Sequence, residues 1–157
     1  MAATEIESHN LLTNISFIEE FNVKIKKMYS DYNRAIAENK YEYAIELGTG
    51  ILRELLKVAR EYIISSLRSV EIRGIVEDIL AQHEKSLGYV EGIEEVANEI
   101  PPLYSYEMRE KAITTLSSSI QELFSFILGA LMIITDLHFN TNAHIKTEGN
   151  GSQISFV

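Results

Sequence analysis

From Ile15 onward, Phe17, Ile18, Phe21, Ile25, Met28, Tyr29, Tyr32, Ala35 and Ile36 recur at intervals of three and four, the spacing that sets side chains on one face of an α-helix. Glu19, Glu20, Lys24, Lys27, Asp31, Arg34 and Glu38 fall on the opposite face. Asn39-Lys40 breaks the pattern, and because Asn tolerates the left-handed conformation that ends helices, a tight helical hairpin is expected there. A second helix is predicted from about Tyr41 to Leu67, with Ala44, Leu47, Ile51, Leu52, Leu55, Ala59 and Ile63 inward. Gly48 and Gly50 lie inside it, where each costs about 1 kcal/mol relative to Ala; close approach of a neighbouring helix is the simplest compensation.

Near Arg68-Ser69 the pattern fits either one long bent helix or two consecutive helices. Val70, Ile72, Ile75, Val76, Ile79 and Leu80 then resume helical register. Beyond His83 the signal weakens through Ser86-Leu87-Gly88 and Gly92, so the section to Ile100 reads either as one bent helix or as two, the second being a short fifth helix over Ile93–Ile100. Pro101-Pro102 stops it. Ser105 is placed to cap the next helix, with Glu107 in the first turn where negative charge suits the helix dipole.

That last helix begins amphipathic and becomes apolar around nearly its whole circumference between Leu123 and Leu137. A helix without a polar face must be surrounded by protein or by lipid. Glu122 and Asp136 leave thirteen uncharged positions between them, fewer than the roughly 18 to 20 of a membrane span, so no span is expected. The fold predicted is all-α: an antiparallel bundle of four main helices with the apolar last helix at its centre. Residues 1–13 read as a flexible arm, 14–139 as a single domain and 140–157 as a mobile tail carrying a candidate interaction motif.

Charge narrows the partners. The 157 residues carry a formal net charge of −9, and Glu71–Glu99 holds eight acids against Arg73 and Lys85, a poor surface for phosphate. Arg53, Lys57, Arg60 and Arg68 form a basic stripe on the second helix. Glu54 and Glu61 interleave with it, which reads as a solvated, salt-bridged face; contact with nucleic acid inside a larger assembly is the alternative. The absence of Cys excludes disulfides and thiolate chemistry. With no basic-then-apolar leader at the N-terminus, the expected compartment is the cytoplasm.

No catalytic or metal constellation emerges. None of His9, His83, His138 and His144 has a carboxylate three residues earlier, which excludes the Glu-x-x-His pairs of di-iron bundles, and no cofactor is expected. His83, beside Glu84, reads as solvated. The Ser117-Ser118-Ser119 run has no His near it in sequence and reads as small side chains that permit close helix packing. Glu91, Glu94, Glu95 and Glu99 read as a cluster facing water.

The run Tyr32 to Leu56, with Ala35-Ile-Ala-Glu-Asn-Lys-Tyr41 and then Ala44, resembles the first helical hairpin of HEPN-type bundles. Those are dimerising four-helix domains, many of them metal-independent ribonucleases with an Arg-x4-6-His motif. That motif is absent here, so the resemblance implies an inactive relative. The reading reached from the residues themselves is a non-enzymatic interaction or assembly protein, either a homo-oligomer or a small subunit of a larger complex. Its expected contacts are Phe126, Gly129 and Ile133 on the apolar helix and Ile154, Ser155, Phe156 and Val157 beyond it.

Overall fold

A computed structural model of the chain describes residues 2–146, with side chains from 15 to 135. Four helices make up the bundle: α1 (Ala2–Ala37), α2 (Tyr41–Val58), α3 (Val70–Glu99) and α4 (Tyr106–Lys146). No strand occurs among the described residues. The α1–α2 turn forms as the Asn predicted. Asn39 takes φ 61°, Lys40 N–H bonds the Ala35 carbonyl at 2.8 Å and Asn39 N–H bonds that of Ile36 at 3.0 Å, the paired bonds that satisfy a helix's last carbonyls.

α2 continues past Val58 as a widened π turn (Ala59–Ile63) and a tight 3-10 turn (Ile64–Ser66), so helical structure reaches the neighbourhood of Leu67 as the pattern indicated. Ser69 then caps α3 by accepting the Ile72 N–H at 3.3 Å. From there α3 is one uninterrupted helix, and no separate fifth helix forms over Ile93–Ile100. Gly88 and Gly92 weaken a helix by only about 1 kcal/mol each, and Val90 and Ile93, both buried, hold the surrounding turns. Ser105 caps α4 by accepting the Met108 N–H at 3.2 Å.

α2 and α4 pack most extensively on one another, and α1 and α3 each contact both. Sequential helices run antiparallel, as does α1 against α4, where Tyr32 meets Ser117 and Phe21 meets Phe124. The core is a continuous aliphatic set in which Ile51, Leu52 and Leu55 of α2 and Leu116, Leu123 and Ile127 of α4 are fully buried. Gly48 marks the closest approach. A Cβ there would lie 2.8 Å from the Tyr32 ring and 2.9 Å from Leu116, so the cost of Gly in this helix is offset by helix contact. Gly50 faces open space and has no such reason.

Helix extends further at both ends than the apolar periodicity indicated, back to Ala2 and on to Lys146. Once nucleated, a helix adds one hydrogen bond per residue and can outrun its apolar stripe. Phe17 stacks on Tyr62 just before the α2–α3 turn, so the first turns of α1 and the last turns of α4 run on past that turn.

Candidate functional site

Among the described residues, the second half of α4 is incompletely covered. Leu123, Ile127 and Leu131 point into the core, but Phe126 and Gly129 are only half-buried, and Met132 and Ile133 are 54% and 40% exposed. The seam with α3 sets what lies beside them. His83 meets Ser119, and two antiparallel turns onward bring Val76 level with Phe126. The exposed side chains of Val70, Ile72 and Ile75 (80%, 43% and 61%) therefore crowd the same end of the bundle. A Cβ on Gly129 would touch nothing within 4 Å, so that glycine leaves the helix surface flat and open. Together these residues form an apolar end, with Arg68 and Glu71 exposed beside them at the start of α3.

Of the residues expected to bind a partner, Phe126, Gly129 and Ile133 are thus brought together, with Met132, Ile72 and Ile75 as neighbours that the sequence reading did not single out. Ile154, Ser155, Phe156 and Val157 lie outside the described residues. Two of the four basic-stripe residues are engaged within the chain: Arg53 bonds Glu91 at 2.6 Å and Arg60 pairs with Glu84, so those two arginines tie α2 to α3, while Lys57 and Arg68 are exposed.

The opposite end differs in kind. Glu42 and Glu46 of α2, Ile93 and Glu94 of α3, and Tyr104 of the connection line an open cleft of about 500 Å³. Glu94 does not simply face water. Its carboxylate accepts the Thr49 hydroxyl at 3.2 Å, and burial raises its pKa above the usual carboxylate value, with Thr49 and Arg53 pulling the other way. Arg109 stacks 4.3 Å over the Tyr41 ring and reaches Glu42 at 3.5 Å, closing one margin of this end.

His83 is likewise not solvated. It is buried, and its Nδ1 shares a 2.6 Å hydrogen bond with the buried Ser119 hydroxyl, the direction set by the ring's tautomer. Burial holds the His83 pKa below its ordinary value, opposed by the negative charge of Glu122. The serine run therefore does have a histidine partner, supplied by α3 and not by sequence proximity. Activating a serine nucleophile also requires room for a substrate at the hydroxyl. Here both side chains are closed within the α3–α4 seam, and the pair works as a polar clasp between helices. The signal was available: Val76, Leu80, His83, Leu87 and Val90 form one stripe at three and four spacing, and His83 lies on it.

Comparisons with known protein families, curated proteins and solved structures find no match to this chain. Among the described residues, no group of three His, Asp or Glu side chains is arranged to hold a metal ion. Between Tyr106 and Thr135, α4 is long and apolar enough to cross a membrane, and only 28% of its most apolar 18-residue window is buried in the bundle. The same stretch contributes Ser119 to the clasp and takes a hydrogen bond from Tyr32 Oη on the Ile113 carbonyl at 3.1 Å. The helix is thus built into the bundle while one of its faces remains apolar and open.

Proposed function

We propose that this protein is a non-enzymatic assembly module that associates with copies of itself through its apolar end. The observation that carries this reading is the incomplete enclosure of α4 between Phe126 and Ile133, continued by Ile72 and Ile75 at the start of α3. Contiguous apolar surface on a folded bundle costs free energy while it faces water, at about 25 cal/mol per Å². Association through one such patch favours a closed two-fold pair, in which the same surface faces itself. A protein cover is favoured over lipid because α1, α2 and α3 all pack against α4 and carry charged outer faces. The stripe residues Arg53 and Arg60 already neutralise Glu91 and Glu84, which leaves only Lys57 and Arg68 of the stripe for contact with nucleic acid.

Sedimentation equilibrium over a wide concentration range tests the reading. The expected result is a mass above that of the monomer, returned to the monomer by Ile133→Asp with helical content unchanged. A strict monomer at every concentration sinks it.

A further inference from the structure

We infer that the pair formed through the apolar end is antiparallel, with α3 of each copy lying along α4 of the other and Arg68 paired to Glu122 of the partner subunit; this rests on the self-association reading and adds to it the residues that orient the two copies.

The charges that border the apolar surface are unevenly placed. The His83–Ser119 contact sets the relative level of α3 and α4. Counted outward from it along the two antiparallel helices, Asp78 is level with Phe124, Ile75 with Ile127, Glu71 with Leu131 and Ser69 with Ile133. Ile75 and Gly129 thus mark the middle of the surface. Glu122, exposed on α4, stands seven residues before Gly129, about 10 Å toward the centre of the bundle. Asp78 is exposed one turn after Ile75, on that same inner side. Arg68 and Glu71 are exposed at the outer margin, and Arg68, next to Ser69, lies about 6 Å beyond the level of Gly129. The inner margin is therefore acidic, while the outer one carries the basic residue. Glu122 and Arg68 lie at comparable distances on either side of the middle, one on each helix.

A two-fold pair that places α3 of one copy on α4 of the other can be built in two ways. With the axis parallel to the helices, every residue meets the same level of the other copy. Asp78 of each chain then faces Glu122 of the partner subunit, and like charges brought together disfavour that arrangement. With the axis across the helices, passing through the α3–α4 seam near Gly129, the levels are exchanged. The inner margin of one copy then lies against the outer margin of the other, which brings Arg68 beside Glu122 of the partner subunit, twice in the pair. Glu71, nearer the middle than Arg68, falls opposite the uncharged Ser125, and Asp78 falls opposite the apolar Met132 and Ile133. The apolar side chains supply the affinity in either arrangement. Charges at the rim select between the two, because they penalise the wrong orientation more than they strengthen the right one.

Charge reversal tests this, read by sedimentation equilibrium of the full chain at low salt, with circular dichroism confirming that each variant keeps its helical content. Arg68→Glu alone and Glu122→Arg alone are each expected to weaken self-association about tenfold, since either change turns two attractive contacts in the pair into repulsive ones. An equimolar mixture of the two singly changed chains is expected to return to within about threefold of the unchanged chain, because both contacts in a mixed pair again join opposite charges. Damage inside either chain could not be repaired by mixing. Single variants that associate as tightly as the unchanged chain, or a mixture no tighter than its components, would overturn the antiparallel pair and leave self-association standing. A strict monomer for the unchanged chain would overturn both.

Discussion

The two halves of α4 follow opposite rules. In the first half the exposed positions are occupied by Glu107, Glu110, Lys111, Thr114, Ser118, Gln121 and Glu122, with Tyr106 the one large apolar exception, while Ala112, Leu116 and Ile120 are buried. In the second half aliphatic and aromatic side chains spread around the helix, yet its own chain covers it less, leaving Met132 and Ile133 outermost. The more apolar half is the less enclosed one. Apolar character in a sequence thus marks surface that must be covered without stating whose side chains cover it, and here the first half is covered from within while the second retains a surplus.

Large-to-small substitution gives the sharpest separation of the halves. Leu123→Ala, at a fully buried position against α2, is expected to lower unfolding free energy by about 2–5 kcal/mol. Ile133→Ala, 40% exposed, is expected to cost less than about 1 kcal/mol, since little area leaves water there on folding. Urea denaturation of both checks it. Equal losses would mean that the second half is as tightly enclosed as the first, and the contrast would break.

The glycines sharpen the same contrast. In Gly48→Ala the new methyl collides with the Tyr32 ring, which cannot swing aside because its hydroxyl is held by the Ile113 carbonyl and, at 2.7 Å, by Ser117. The burial that holds this ring also pushes the Tyr32 phenol up to about 12. Overpacking of this kind costs about 1–3 kcal/mol, partly offset by the better helix propensity of Ala. Gly129→Ala meets no atom within 4 Å and should instead gain up to about 1 kcal/mol. Thermal unfolding reads the opposite signs.

The smallest expected effect is acid sensitivity. His83 titrates below 6.5 in the folded chain and near 6.5 when unfolded, so the unfolded state binds more protons between those two values. Stability from this group is complete above pH 6.5 and declines as the pH falls toward the folded value. Glu94, whose folded pKa is raised, acts in the opposite sense at lower pH. His83→Gln keeps a partner for Ser119 and should flatten the decline just below pH 6.5. An unchanged slope in that variant would show that the clasp is not sealed from water as its burial implies.

Much of the fold was legible because local signals carried it: Asn39 at the hairpin, Ser105 as a cap, and three-and-four periodicity along every helix. The continuity of α3 was not, since Gly88 and Gly92 read as breaks while the packing of Val90 and Ile93 that overrides them is tertiary. The candidate surface was legible in part. The surplus on α4 is visible as apolar residues without a polar face, but its extension to Ile72 and Ile75 depends on the α3–α4 register, which the clasp sets. His83 was misread because the identity of its neighbour Glu84 outweighed the stripe on which it lies. The cleft was missed because Glu42, Glu46 and Glu94 come from separate helices, and no spacing within one helix reports that they meet.

The π turn at Ala59–Ile63 has a consequence for how this chain tolerates change in length. A π turn carries an extra residue compared with an α-helical turn, and here it keeps Ala59 and Ile63 both buried while Tyr62 faces outward to stack on Phe17. α2 therefore already contains slack. Removing one position between Ala59 and Ile63 can be absorbed by tightening that turn to ordinary helix. The same deletion at Thr49 would rotate Ile51, Leu52, Leu55 and Leu56 by about 100° away from α4 and dismantle the core.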